Sequence, residues 1–205
     1  MKSLVFLSQK GGSGKTTLSV HTAVTAQETG EQVVIIDTDP QQSAMTWAEA
    51  RNRDSPPVAR ISAAEIDKVL QAARDEQITL AVVDTAPHAT PDASKVARIA
   101  DLVVIPVRPS AFDIAVAGNA VQIAQAVGAK TVFVLSACPF RSPEIAETRE
   151  LLAGYGLPIA PIEITERRAF ARAVASGRAV TEFENNGKAA EEIRALWLWL
   201  KEQMS

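Results

Sequence analysis

Residues 10–17 read Lys10-Gly11-Gly12-Ser13-Gly14-Lys15-Thr16-Thr17, directly after the apolar run Ser3-Leu4-Val5-Phe6-Leu7. Glycines at 11, 12 and 14 open turn conformations that a side chain would block. Successive N–H groups then face inward as an anion nest. A helix opened by Thr16 and Thr17 adds its N-terminal partial charge. The spacing sets Lys15 to reach β- and γ-phosphates and the Thr16 hydroxyl to ligate Mg²⁺. The chemistry predicted is binding of a nucleoside triphosphate with magnesium. The usual loop carries glycine five residues before Gly14, where Gln9 stands here. A second lysine, Lys10, opens the motif instead.

Two further clusters bear carboxylates. Residues 37–41 read Asp37-Thr38-Asp39-Pro40-Gln41 after an apolar run. A carboxylate at a strand's carboxyl edge beside a phosphate loop can orient attacking water or hold a Mg²⁺ water ligand. Asp39 followed by Pro40 also fits a helix N-cap with proline at the first helical position. Asp84 ends Leu80-Ala81-Val82-Val83, the Walker B arrangement, which brings a carboxylate near the Mg²⁺ shell. Residues 86–92 follow it as a candidate γ-phosphate-sensing switch. His88, inside that segment, reads as a solvated loop residue.

The C-terminal third has a different character. Arg167, Arg168, Arg172 and Arg178 occur with one glutamate between residues 166 and 178. Such a patch can contact phosphate backbones without reading sequence, or it can be a solvated helix face. Over 163–202 basic and acidic residues balance at seven each, which tempers the first alternative. Leu196-Trp197-Leu198-Trp199-Leu200 crowds one helix, Lys188 to Gln203, whose acidic start, Glu191-Glu192, argues for packing onto a sheet rather than an anionic membrane surface. Trp47 reads as core or dimer interface.

The elements that must position these groups alternate along the chain. Apolar runs at 3–8, 32–37, 79–84, 101–107, 131–136 and 157–162 predict strands; several are almost uniformly apolar, as suits a parallel sheet covered on both faces. Helices are expected near 16–29, 41–53, 63–76, 92–100, 113–127 and 143–154. Ser62 to Glu65 has capping-box spacing, and Gly30 is placed to end the first helix. The fold expected is α/β: a doubly wound, mostly parallel sheet with helices on both faces, one P-loop ATPase domain over 1–205, and ligand at the carboxyl ends of the strands.

Composition agrees. The 205 residues are 47% hydrophobic, enough for a substantial core. A formal net charge of −3 gives no global basic field. The single cysteine, Cys138, cannot form an internal disulfide or hold an intrachain zinc or iron–sulfur site, and fits a reducing cytosol. No signal peptide fits a loop signature that begins at residue 10, and no apolar run reaches the length of a membrane span.

Taken in order, KGGSGKTT, DTDPQ, VVDTAP and PVRPS (106–110) resemble the ParA/MinD group of deviant Walker ATPases along nearly the whole chain. The tail TERRAFARAVASGRAVTEF followed by GKAAEEI is similar to short ParA-type partition ATPases. The resemblance implies a slow ATPase using ATP and Mg²⁺. Lys10 would reach across a nucleotide-sandwich homodimer to the partner's phosphates. Asp39 would activate the hydrolytic water, and Asp37 and Asp84 would serve the magnesium environment with Thr16. The ATP-bound dimer would bind DNA non-specifically through Arg167, Arg168, Arg172 and Arg178. A ParB-like adaptor would stimulate hydrolysis, positioning plasmid, chromosome or protein cargo on the nucleoid in the cytoplasm. With the loop at residue 10, the N-terminal DNA-reading extension of longer relatives is not expected, and neither is the stable membrane association that MinD-like members make through a basic amphipathic tail. Adenine contacts are assigned only by position, to 106–110 and 136–140.

Overall fold

Largely apolar runs of three to six residues extend and pair side by side. The computed structural model, which describes residues 1–87 and 91–205, arranges them as β1 (Lys2–Phe6), β2 (Val33–Asp37), β3 (Val58–Arg60), β4 (Leu80–Asp84), β5 (Leu102–Val107) and β6 (Thr131–Leu135). They form one sheet in the order β3-β2-β4-β1-β5-β6, with every pair parallel. Alternation sorts the strand residues to two faces, both buried. Leu4, Phe6, Val33, Ile35, Val82 and Val104 face one core; Val5, Leu7, Val34, Ile36, Val83 and Ile105 face the other. Burial on both sides is why these runs read as continuous apolar stretches.

Helices cover both faces. The first layer holds α1 (Lys15–Glu28), α2 (Ser43–Ala50), α7 (Arg168–Ala175), α8 (Val180–Phe183) and α9 (Lys188–Gln203). The second holds α3 (Ile66–Asp75), α4 (Pro91–Arg98), α5 (Ala111–Ala126) and α6 (Glu144–Ala153). Gly30, at φ 98°, ends α1 as expected. Its N–H donates to Gln27 O at 3.0 Å and that of Glu31 to Ala26 O at 3.1 Å, the paired bonds of a Schellman ending. The Glu65 carboxylate accepts from the Ser62 N–H at 3.0 Å and from its hydroxyl at 2.8 Å, fixing a single 3₁₀ turn ahead of α3. Leu196, Trp197 and Leu200 are buried in the first core, and Trp47 with them; the tryptophan-rich end is packing.

Two expectations need correction. The run 157–162 is not a strand. It lies beside β6 and bonds it at scattered points, Phe133 N to Pro158 O and Ala160 N to Phe133 O, both 2.9 Å, but Pro158 and Pro161 carry no N–H and interrupt any ladder. The sixth strand is instead β3, three residues behind Pro56-Pro57, too short to show a period. The helix expected over 41–53 begins only at Ser43, because Gln42 takes a left-handed φ of 56°.

Candidate nucleotide site

The phosphate loop leaves β1 at the centre of the sheet, between β4 and β5. Gly14 stands as the α1 N-cap at φ 101°, a conformation L side chains rarely adopt, and a Cβ there would collide with the Ser136 hydroxyl. That hydroxyl donates to Ser13 O at 2.9 Å, tying the end of β6 to the loop. Ser13 Oγ is buried without a hydrogen-bond partner among the described residues. An orphaned buried donor inside a glycine-rich nest fits an anionic ligand.

The charged groups converge here. Lys15 is buried, and desolvation pulls its ammonium below the usual lysine range against the opposing pull of Asp84 and Asp39. Its Nζ donates to Lys10 O at 3.2 Å. Thr16 Oγ1 donates to Asp84 Oδ2 at 2.6 Å. Burial pushes the Asp84 carboxyl up to about 7, although the Thr16 bond draws it down. Asp37 pairs in register with Asp84 across β2 and β4. Among the described residues no three histidine, cysteine or carboxylate groups gather as a metal site. One or two carboxylates, a hydroxyl and substrate phosphates are what Mg²⁺ ordinarily takes, and Thr16 with Asp84 fits that donor set.

The two aspartates of the DTDPQ segment divide their work. Asp37 is fully buried. Its Oδ2 accepts from Ala44 N at 3.0 Å and Met45 N at 3.1 Å, and its Oδ1 accepts from Asp39 N at 3.0 Å. Asp37, not Asp39, therefore satisfies the first turn of α2. Burial raises its carboxyl above the usual range. Among the described residues Asp39 accepts only from Gln41 N, at 2.9 Å through Oδ1, and it lines the phosphate cavity of about 440 Å³ together with Lys15, Thr16 and Thr17.

Two neighbours of the loop were not singled out as residues from sequence. Asp113, in the first turn of α5, receives Lys10 Nζ at 2.5 Å. Arg108, just after β5, lines the phosphate cavity. It also lines a second cavity of about 260 Å³, bounded by Gly14, Ser136, Thr165 and Phe170. That second cavity adjoins the loop where a nucleoside would lie. Its walls include both segments assigned by position, and also α7, which sequence linked only to DNA. The PVRPS run was the available signal for Arg108.

The four arginines separate. Arg168, Arg172 and Arg178 are exposed. Arg167 is partly buried, donates to Glu192 Oε1 at 2.6 Å and lines the second cavity. Cys138 is buried and its thiol is pushed up to about 12, first by burial, so it is a packed, unreactive group. Of the switch expected at 86–92, residues 88–90, with His88, lie outside the described residues.

The family model for the CobQ/CobB/MinD/ParA nucleotide binding domain matches residues 4–180. The chain belongs to this family. The maintenance of carboxysome distribution protein A of Gloeobacter kilaueensis is 31% identical over 203 residues, covering 97% of this chain and 91% of that protein. Protein ParA of Rhizobium radiobacter is 28% identical over 180 residues, covering 83% and 81%. Among solved structures, the ATP complex of an aspartate-to-alanine variant of McdA from Cyanothece matches the fold with a TM-score of 0.78 at 17% identity, covering 100% of this chain and 96% of that one. As a ParA/MinD-family ATPase, the chain has its loop, Asp39 and Asp84 together at the carboxyl ends of β1, β2 and β4, where an open α/β sheet binds ligands.

Proposed function

We propose that the chain is a nucleotide-switched positioning ATPase. Two copies close over ATP and Mg²⁺, the closed dimer holds DNA without sequence preference, and a cargo-bound adaptor of the ParB kind triggers hydrolysis and release. The work is done in the cytoplasm, on the nucleoid. Lys15, Thr16 and the backbone of residues 11–14 hold the phosphates, and Thr16 with Asp84 holds the metal. When bound there, the ion would supply positive charge that offsets the charge developing on the phosphates. Asp39, whose second oxygen accepts no hydrogen bond from a described residue, orients the attacking water. Lys10 serves the partner's phosphates.

The observation that carries the DNA reading is the position of α7. Phe170, Ala171 and Val174 line the cavity beside the phosphate loop, while Arg168 and Arg172, one turn apart, lie on the exposed face. One two-turn helix thus faces both the nucleotide and solvent. The relatives named for ParA and for carboxysome distribution support the choice of cargo positioning among the activities of the family.

Anisotropy of a labelled duplex of arbitrary sequence tests this. Binding is expected with a non-hydrolysable ATP analogue and Mg²⁺ and absent with ADP, and the logarithm of its affinity should fall linearly with log salt concentration. Arg168→Glu with Arg172→Glu should abolish it while ATP binding persists. DNA binding that ignores nucleotide would overturn the proposal.

A further inference from the structure

We infer that Arg108 is a third cation of the nucleotide site and grips the phosphate that joins the nucleoside to the rest of the chain of phosphates. The inference rests on the nucleotide reading above and assigns a residue that the loop motif does not contain.

The backbone around Arg108 is held on both sides. β5 ends, buried, at Val107. Beyond it, Ser110 N donates to Arg108 O at 2.7 Å in a tight turn. Pro109 restricts the backbone, and the Ser110 hydroxyl accepts from Asp113 N at 3.2 Å to cap α5. The side chain, by contrast, is exposed, and its guanidinium takes part in no ion pair among the described residues. A positively charged fork on a fixed turn, with nothing to hold, is prepared for an outside anion.

Its location says which anion. Arg108 belongs to the walls of both cavities, the one over the phosphate loop and the one beside it. A nucleotide with its terminal phosphates on residues 11–16 and its base in the neighbouring cavity must pass Arg108 at the junction, where the α-phosphate lies. The charge balance asks for such a group. Asp37, Asp39 and Asp84 crowd the loop, and Lys10 is paired with Asp113, which among the described residues leaves Lys15 as the loop cation outside an ion pair. Because the α-phosphate is common to ATP and ADP, Arg108 sets affinity for nucleotide as such and does not discriminate between the two. Its guanidinium can engage two oxygens at once, which an ammonium cannot.

The test is titration calorimetry of Arg108→Ala, Arg108→Gln and Arg108→Lys against ATP analogue, ADP and adenosine, with Mg²⁺ and wild type alongside. Loss of a charged hydrogen bond predicts that ATP analogue and ADP both bind about tenfold or more weakly to the alanine and glutamine variants. Adenosine affinity should be unchanged, with lysine recovering part of the loss. Loss for the triphosphate alone would put the group at the γ-phosphate, and equal loss for adenosine would make it a base-stacking residue; either overturns the assignment, as does unchanged affinity for all three. A wild type that binds neither nucleotide would bring down the underlying reading, visibly apart from any effect of the variants. Unchanged melting of the apo variants confirms that folding is not the cause.

Discussion

Lys10 Nζ lies 2.5 Å from Asp113 Oδ2, and the Asp113 carboxylate is buried at the start of α5, bonded also to the Ser110 hydroxyl. The lysine that the family resemblance sends across a dimer is thus held within its own subunit. Reaching a partner's phosphates requires breaking this pair. The ammonium is more than a third exposed, so the pair is worth about 1 kcal/mol, roughly a fivefold factor in an equilibrium. Closing a symmetric dimer breaks the pair in both subunits, so Asp113→Asn is expected to lower the protein concentration at which an ATP analogue drives dimerisation by about the square of that factor, roughly 25-fold, as read by sedimentation velocity. Dimerisation that is unchanged or weaker would show that the pair is not in competition with the partner.

Asp39 is buried, faces the phosphate cavity and accepts from one backbone N–H. Asp39→Ala is expected to cut phosphate release by about 10²–10⁴-fold, the usual range for a positioned base, with ATP binding retained and the dimer trapped. Normal turnover in this variant would remove Asp39 from the chemistry.

Arg51 and Glu182 form a bidentate pair, both bonds 2.7 Å, with little exposure of either side chain. Arg51 also donates to Gly177 O at 2.9 Å and to Ser55 O at 2.8 Å, clasping the end of α2 to the α7–α8 connection. Arg51→Ala leaves a buried carboxylate and two carbonyls short of a donor and should cost about 3 kcal/mol. The loss should appear as a lower urea midpoint, partly recovered by adding Glu182→Ala. A midpoint unmoved by the single change would mean the clasp contributes nothing net.

His21 is wholly buried in α1. Nδ1 accepts from Val180 N at 3.1 Å, and burial, opposed by the Glu182 carboxylate, lowers the ring's pKa to about 3. An unfolded histidine titrates near 6.5. Between those values the unfolded chain binds a proton that the native state refuses, so stability falls as pH drops below 6.5. His21 accounts for about 2 kcal/mol of loss by pH 5. His21→Leu is less stable at pH 7, since Val180 N–H loses its acceptor, but its stability should decline less over that window. Equal pH slopes for the two proteins would exclude His21 as the titrating group.

The loop from Lys10 to Thr17, Asp84 at the end of β4 and the α/β alternation were legible because each is a local matter. Glycine spacing, an apolar run ending in a carboxylate, and periods of two or 3.6 are properties of neighbours in the chain. Proline marks in the sequence also explained, after the fact, why 157–162 fails as a strand. β3 escaped because three residues on a sheet edge carry too few side chains to show a pattern. α7 was recognised as charge rather than as a wall of the site, since its buried face has meaning only against α1, α2 and the loop.

The sequence by itself determined that a phosphate nest exists and that the strands are buried on both sides, because those facts are written in consecutive residues. Only the tertiary structure decided which aspartate caps α2, that Lys10 is paired with Asp113, that Arg167 is tied to Glu192, and that Arg108 stands between two cavities. Each of these joins side chains from separate elements, and a parallel sheet brings such elements together through crossovers whose contacts leave no trace in local spacing.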